Sequence, residues 1–440
     1  MVSARLAALQ CLERYRRDGA WVSSVMDGII RSNALPRRDA ALVSALTLGV
    51  LQNSVYFDFL ISRFCSTKPE KLEKKVLDIL RLGVCQLILL NRIPARAAVN
   101  ETVGLCDQVG LERAKALVNA VLRRIAEQRD CPPEVPGIGS AAYLSTRYSH
   151  PLWLAEKLIK EKGYAFADAL FRADNAIPAL TLQINTAKIS SAEYLLALDK
   201  LGISYTVPAY PEDCVCISAY PVSELPGYEE GLFYIQDRAA RMAVDLIGLK
   251  RGMRVLDACA SPGGKSLAAA LDMHLDGEVL ACDIHEKKLS LIQSNAARLG
   301  IEIIQTQCRD ARAAVCGEEE SYDAVIADVP CSGFGVIAKK PEIRSKMPQE
   351  LRALPQIQSA ILETVCRYVR PDGILLYSTC TILKEENEDV VEAFLAGHTE
   401  FQRVPFTVGE KEAPQGFYTF YPHVDGTDGF FAAKLKRMKT

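Results

Sequence analysis

The sequence predicts a chain of several folded parts: an all-α bundle, a small α+β unit and an α/β Rossmann-like domain. Three observations predict this. Apolar residues recur at helical spacing throughout residues 1–130, where strand signals are absent. The proline- and glycine-rich stretch Cys131-Pro-Pro-Glu-Val-Pro-Gly-Ile-Gly-Ser disfavours both helix and strand and marks a boundary. From residue 236 onward short apolar runs alternate with helical segments, the pattern of a mostly parallel sheet covered on both faces.

In the first part, helical spacing is read over Ala4–Arg16, Arg38–Leu51, Lys71–Leu89, Ala97–Val109 and Arg113–Ile125. Gly19, Pro36, Pro69, Pro94 and Gly110 punctuate them, which gives a bundle with short connections. In the second part, over 131–235, helices are expected at Pro151–Lys162, Ala165–Ala173 and Ser191–Leu201. Strands are expected at Leu180–Asn185 and near Val215–Ser218 and Leu232–Ile235. In the third part, 236–440, the strand candidates are Arg254–Asp257, Glu278–Asp283, Glu302–Gln307, Asp323–Asp328 and Gly373–Ser378. Lys265–Leu271, Glu286–Leu299 and Pro355–Val369 are the helices between them. Ligands of such sheets bind beyond the carboxyl ends of the strands, and the chemically distinctive residues fall there.

Composition sets bounds rather than an activity. The chain has 440 residues, is 49% hydrophobic and 24% charged, and carries a net charge of −2, all ordinary for a globular protein of two or three domains. No run of about 18 uncharged apolar residues appears, so no membrane span is expected. The start, Met-Val-Ser-Ala-Arg-Leu, lacks an apolar signal region. A cytoplasmic setting with reduced thiols is therefore the expectation. The fourteen cysteines include no Cys-x-x-Cys and only one close pair, Cys214-x-Cys216, which argues against a metal site. Charge is unevenly spread: residues 1–130 hold 20 Lys and Arg against 13 Asp and Glu, net +7, leaving −9 for the rest. A basic module joined to an acidic one suits an RNA-docking part beside a small-molecule site.

The run Val255-Leu-Asp-Ala-Cys-Ala-Ser-Pro-Gly-Gly-Lys265 reads as a strand entering a glycine turn. Gly263 and Gly264 let the backbone turn tightly and approach a ligand. The turn is neither Gly-x-Gly-x-x-Gly nor a Walker loop, so it lacks a phosphate cradle. Asp283 ends the next strand, where a carboxylate accepts hydrogen bonds from ribose hydroxyls. Asp310 follows the third strand and Asp328 ends the fourth. Ribose-binding acids around a glycine turn without a phosphate cradle point to S-adenosylmethionine.

Two cysteines follow apolar runs: Cys331 after Tyr322–Pro330, and Cys380 after Gly373–Thr379. A thiol is a weak nucleophile until ionised, with an unperturbed pKa of roughly 8.5. Addition to a pyrimidine ring needs the thiolate and is helped by a proton at a ring nitrogen, which Asp328 is placed to support. Lys265 could hold a carboxylate or thiolate of the site in its charged form. Spacing alone does not choose which of the two thiols attacks.

Four motifs together, Asp257–Lys265, Asp328-Val-Pro-Cys-Ser-Gly-Phe-Gly335, Tyr377-Ser-Thr-Cys-Thr-Ile382 with Glu386-Asn387, and Asp428-Gly-Phe-Phe-Ala-Ala-Lys-Leu435, resemble the RNA 5-methylcytosine methyltransferases of the NOL/NOP2/Sun family. Leu80-Arg-Leu-Gly-Val-Cys-Gln-Leu87, Ile93–Glu101 and Val118–Arg123 resemble a NusB-like helical RNA-binding domain, which is fused to the bacterial small-subunit ribosomal RNA branch of that family. The resemblance implies that Cys380 is the nucleophile and that Cys331 assists release of the enzyme from the methylated base. It implies that Ala258, Cys259, Ala260, Ser261, Pro262, Gly263, Gly264 and Lys265, with Asp283, Asp310 and Asp328, contact S-adenosylmethionine or the target base. It implies a 16S ribosomal RNA substrate, with no metal and no membrane; a monomer is the expected state. Where the family often has arginines after Gly-x-Gly, this chain has Lys339 and Lys340, which keep the charge but lose bidentate phosphate geometry. Ser261 stands where alanine is usual. Two alternatives stay open: a transfer RNA 5-methylcytosine methyltransferase, and a non-catalytic RNA-binding assembly factor, against which the intact Asp257, Gly263, Gly264, Cys331 and Cys380 speak.

Overall fold

The structure is a computed structural model that describes residues 2–439 except Ala20 and Ala219. The chain forms two compact units. The first comprises Met1–Ala176 and Ile337–Pro348, the second Ile177–Val336 and Gln349–Thr440.

The first unit is helical: α1 (Ala4–Asp18), α2 (Val22–Ser32), α3 (Arg37–Phe64), α4 (Lys74–Leu89), α5 (Ala95–Gln108), α6 (Lys115–Glu127), α7 (Ala141–Tyr148), α8 (Leu152–Lys162) and α9 (Tyr164–Asp174). Local chemistry sets the ends. Ser3 caps α1 by accepting from the Leu6 N–H, and Gly19 closes it in the left-handed conformation. Leu9, Leu46, Phe57, Leu60, Leu80, Leu105 and Leu122 are fully buried at the centre. Asn53 has non-helical dihedrals and kinks α3, and its side chain donates to the Gly49 carbonyl, a bond that competes with the helical ladder. The 28-residue α3 is long and apolar enough to cross a membrane, but it buries Val43, Leu46, Val50, Phe57, Leu60 and Ile61 among the other helices.

Helix α2 was not expected from the sequence. Its buried Val22, Val25, Met26 and Ile29 follow helical spacing, but Ser23, Ser24 and Gly28 dilute the signal. Helix α7 was also missed. It starts directly after the Pro/Gly stretch, where Ser140 accepts from the Tyr143 N–H. Helices α7 to α9 lie in the first unit, although the sequence groups them with the small α+β part.

The second unit holds two sheets. The smaller has β1 (Leu180–Ile184), β2 (Tyr205–Thr206), β3 (Cys214–Ile217) and β4 (Phe233–Ile235), antiparallel in the order β2-β3-β1-β4. Helix α10 (Ser191–Lys200) covers it with the buried Tyr194 and Leu198. A capping box, Ser190 with Glu193, starts that helix. The small sheet is fastened to the larger domain by Asn185, whose Nδ2 donates to the carbonyls of Gly231 and Leu299, both at 2.9 Å. Arg298 adds bonds to the carbonyls of Tyr228 and Phe233 at 2.7 and 3.1 Å.

Helix α11 (Arg238–Asp245) leads into the larger sheet, built from β5 (Met253–Asp257), β6 (Gly277–Asp283), β7 (Ile304–Cys308), β8 (Tyr322–Asp328) and β9 (Val369–Thr379). These five pair in parallel in the order β9-β8-β5-β6-β7. The expected Rossmann-like strands are thus present, each within a few residues of its predicted place. Helices α12 (Gly264–Asp272), α13 (Glu286–Leu299), α14 (Pro348–Leu351), α15 (Leu354–Val365) and α16 (Glu388–Gly397) lie between or beyond them.

After α16 come β10 (Phe401–Arg403), the hairpin β11 (Phe406–Val408) and β12 (Lys411–Ala413), β13 (Phe417–Phe420), a turn of helix α17 (Pro422–Asp425) and β14 (Phe430–Arg437). Strand β14 runs antiparallel to β9, β10 and β13. No sequence expectation covered these antiparallel strands. Strand β14 carries the Phe430-Phe-Ala-Ala run quoted from the sequence, and Phe430–Ala433 are all buried.

Candidate active site

The carboxyl ends of β5, β6, β8 and β9 define one rim of the larger sheet, and the site is built there. After β5 the chain turns through Ala258–Pro262, with a cis Ser261–Pro262 peptide, into α12. Gly263 caps this helix with φ of +107°, a conformation that L side chains rarely adopt. A Cβ on Gly264 would press the Gln236 side chain at 3.2 Å, and Gln236 is itself buried with an Oε1 that lacks a hydrogen-bond partner among the described residues. A bare turn beside an orphaned buried acceptor is a cradle for a ligand that carries donors.

Asp257 is fully buried and accepts from Ser266 Oγ at 2.7 Å. Burial outweighs that bond and the nearby Lys265 charge, and pushes its carboxyl up to about 7. Asp283 ends β6, largely buried, and accepts from the His285 N–H at 2.8 Å. Asp310 lies two residues beyond β7 and is forked against Arg312, at 2.7 Å between Nη2 and Oδ2. That hydrogen bond lowers its pKa. Of the expected cofactor acids, Asp310 is paired by Arg312 and Asp328 by Lys265.

Asp328 ends β8. Its Oδ2 lies 2.6 Å from Lys265 Nζ and its Oδ1 accepts from Ser378 Oγ at 2.8 Å. Lys265 also stands over the Phe430 ring, 5.1 Å from its centroid. Burial acts to lower the Lys265 ammonium, but Asp328, Asp257 and Cys380 outweigh it, so its pKa is raised and the charge is held.

The two cysteines meet. Cys331 Sγ lies 3.0 Å from Cys380 Sγ. Hydrogen bonding to Cys380, then burial, then the charges of Cys380, Glu386 and Asp328 hold the Cys331 thiol well above its ordinary range. These influences favour the protonated form of Cys331, and either sulfur can serve as donor in the contact between them.

The backbone around the thiols is fixed by close contacts. The Gly335 N–H donates to the Cys380 carbonyl at 2.9 Å, and the Gly429 N–H to the Gly335 carbonyl at 2.8 Å. A Cβ on Gly335 would fall 1.8 Å from the Gly429 oxygen, so no side chain fits there.

Sequence reasoning assigned no role to Gln236, Ser266, Ser378, Gln358 or Phe430. Ser378 and Phe430 lie inside quoted motifs, so their signal was present. Gln358 and Gln236 sit in helical or strand-end contexts where nothing in the local pattern marks them. Lys340, one of the two lysines that stand where the family often has arginines, places its Nζ over the Trp21 ring at 4.6 Å within the helical unit. Among the described residues no group of His, Cys, Asp or Glu is arranged to hold a metal ion.

Comparison with known proteins decides the family. A Bacillus subtilis (strain 168) protein named "Probable ribosomal RNA small subunit methyltransferase B" is 34% identical over 99% of both chains. The "Ribosomal RNA small subunit methyltransferase B" of Klebsiella pneumoniae subsp. pneumoniae is 31% identical over 99% of this chain and 98% of its own. The chain belongs to the 16S rRNA methyltransferase RsmB/F family. That family's description matches residues 245–436, the NusB family 2–127, and an RsmF/B-like ferredoxin-like domain 150–223.

As a member of the RsmB/F family the protein is an S-adenosylmethionine-dependent ribosomal RNA methyltransferase. Among solved structures, one named "Crystal Structure of PH0851" shares the fold with a TM-score of 0.83 at 24% identity over 99% of this chain and 98% of that one. A methyltransferase homologue from Pyrococcus horikoshii matches at 25% identity with a TM-score of 0.59, over 67% of this chain and 98% of that one. The glycine turn of the RsmB/F domain, with its buried acceptor and neighbouring acids, fits S-adenosylmethionine: Ala258–Lys265 and Asp283 would hold it.

Proposed function

We propose that this protein methylates carbon 5 of one cytidine in 16S ribosomal RNA through a covalent adduct between Cys380 and the base. The observation that carries the proposal is the pair of thiols 3.0 Å apart beside the Lys265–Asp328 ion pair. A lone buried thiol has a structural role more often than a chemical one. Two that share a proton next to a buried cation make a nucleophile and a reserve acid.

The basic helical unit and the small antiparallel sheet dock the RNA, largely through phosphates and shape. The target cytidine leaves its stack to enter the site. The Cys380 thiolate bonds to carbon 6, and the ring's electron pair shifts toward carbon 5. Asp328 supports protonation at ring nitrogen 3, and Lys265 keeps a charged donor beside it. When bound, S-adenosylmethionine supplies the electrophilic methyl group that carbon 5 takes. Loss of the carbon-5 proton to a base, a water in the simplest case, and cleavage of the carbon–sulfur bond return the thiolate. Cys331, which holds its proton at rest, assists that release. The protein acts as a monomer in the cytoplasm, and its three functional parts follow the sequence boundaries 1–130, 131–235 and 236–440.

The test is mass spectrometry of nucleosides from small-subunit ribosomal RNA and transfer RNA, each incubated with the protein and labelled S-adenosylmethionine. Label in 5-methylcytidine from ribosomal RNA alone is expected. Label confined to transfer RNA overturns the substrate, and label in another nucleoside overturns the chemistry. Cys380→Ala abolishes transfer while cofactor binding persists. Cys331→Ala accumulates an RNA–protein band that survives denaturing electrophoresis; the reverse pattern exchanges the two roles.

A further inference from the structure

The chain between β9 and α16 carries two consecutive buried polar side chains, Glu386 and Asn387, beside the two thiol turns. Glu386 Oε2 accepts from the Ser332 N–H and from Gln358 Nε2, both at 2.9 Å. Gln358 Nε2 also donates to the Pro330 carbonyl at 3.0 Å. Glu386 with Gln358 thus grips the turn on both sides of Cys331. Asn387 does the same for the other thiol. Its Oδ1 accepts from Thr379 Oγ1 at 2.6 Å, and its Nδ2 donates to the Thr381 carbonyl at 3.0 Å, so it holds the residues on both sides of Cys380. The two turns are also tied directly, with Ser332 Oγ 2.8 Å from Thr381 Oγ1.

Burial shows the cost of this arrangement. Glu386 is 2% exposed, and Asn387, Gln358, Ser332, Thr379 and Thr381 are fully buried. Burying that many polar groups is costly even with the bonds described, and an apolar cluster would close the same space at less risk. The loop's own anchor points the same way: Tyr377 Oη, from β9, donates to the Glu386 carbonyl at 2.6 Å, so the pair is registered to the strand that presents Cys380.

We propose that Glu386 and Asn387 are positioning residues that form a two-jawed clamp: Glu386 holds the Cys331 turn and Asn387 the Cys380 turn, at the separation that lets Cys380 attack the base and Cys331 assist its release. This rests on the covalent-adduct reading above and adds which residues set the thiol geometry. Because each jaw holds a different thiol, the two jaws fail in opposite ways. Loosening Asn387 misplaces the nucleophile and slows adduct formation. Loosening Glu386 misplaces the releasing thiol and slows adduct breakdown. A misplacement of about 1 Å in such a site costs on the order of 10²-fold in rate.

The experiment compares the full-length wild type, Asn387→Ala, Glu386→Leu and Glu386→Gln on one ribosomal RNA substrate. Turnover, KM for RNA, binding of S-adenosylmethionine and the steady-state fraction of denaturation-resistant RNA–protein complex are read for each. Asn387→Ala and Glu386→Leu are each expected to lose about 10²-fold in kcat, with KM and cofactor affinity within about 2-fold of wild type. The trapped fraction should fall below wild type in Asn387→Ala and rise above it in Glu386→Leu. Glu386→Gln keeps an acceptor oxygen and should recover turnover to within about 10-fold of wild type. Trapped fractions that move in the same direction, or turnover equal to wild type, overturn the clamp. If Glu386→Leu fails to bind the cofactor, Gln358→Leu decides in its place: accumulated complex supports the clamp, and a wild-type level overturns it. A wild type that labels a nucleoside other than 5-methylcytidine overturns the underlying reading instead, and the clamp with it.

Discussion

At the scale of single residues, the thiol pair and the glycine turn were legible in the sequence because chemistry restricts residue type there. Only glycine fits at Gly335, where a Cβ would meet the Gly429 oxygen, so its place in the Pro-Cys-Ser-Gly-Phe-Gly motif is a packing requirement. What spacing left open, and only the family resemblance supplied, was which of the two thiols attacks. The Cys331 thiol is raised by its bond to Cys380, by burial and by the charges of Cys380, Glu386 and Asp328, which come from separate stretches of the chain that no spacing rule links. Asp257 carries a further consequence. Its carboxyl is pushed up to about 7 by burial, against roughly 3.9 in an unfolded chain. Between those values the folded state binds the proton more tightly than the unfolded one, so this group's contribution to stability falls as pH rises from about 4 to 7. Asp257→Asn removes the titration. The difference in Tm between Asp257→Asn and wild type should therefore shift in favour of the variant between pH 5 and pH 8. An unchanged difference at the two pH values would refute the assignment.

At the scale of elements, the parallel strands and their helices were readable because each is a continuous apolar run between helical patterns. The antiparallel strands β10, β13 and β14 were not, because their pairing depends on partners far away in the chain. Harder still was Ile337–Pro348, which follows the Cys331 turn in sequence yet belongs to the helical unit. Its anchor is Arg344, 8% exposed, which donates to the carbonyls of Tyr148 and Asp174 at 2.6 and 3.2 Å and to Asn175 Oδ1 at 2.7 Å. Burial pulls its guanidinium down to about 10, although Asp174 opposes this. Nothing in Pro341-Glu-Ile-Arg-Ser distinguishes this arginine from the solvated ones. Arg344→Met keeps an unbranched apolar stem but strips those carbonyls of their donor inside the core. Breaking a buried charged contact of this kind typically costs about 3 kcal/mol, and hydrogen exchange should accelerate across α7 and the end of α9. Exchange there that matches wild type would mean the anchor is dispensable.

At the scale of the whole molecule, the division of charge was fully legible, since it is a property of composition. Residues 1–130 carry net +7 and the remainder −9, so the basic surface is concentrated on the helical part. There, α1, α2 and the start of α4 enclose a cleft of about 910 Å³ lined by Arg14, Arg16, Arg17, Lys74 and Lys75 beside Glu13 and Glu73. Several of these cations are already engaged: Arg16 with Asp78, Arg17 with Asp18, Lys75 with Glu13, and Arg14 more distantly with Asp18. If the helical part docks RNA through phosphates, affinity must fall steeply with salt, because each phosphate neutralised releases bound counterions. Cofactor affinity, set in a pocket without a phosphate cradle, should change far less over the same range. Titrating the full chain with a small-subunit ribosomal RNA fragment at about 50 to 200 mM salt gives the slope of log K against log salt. Arg14→Gln with Lys74→Gln should weaken binding uniformly across RNA sequences and reduce the magnitude of that slope by about 2, one for each cation removed. An unchanged slope with weaker binding would mean these side chains support the fold and not the RNA. An unchanged affinity would move the docking surface off this cleft altogether.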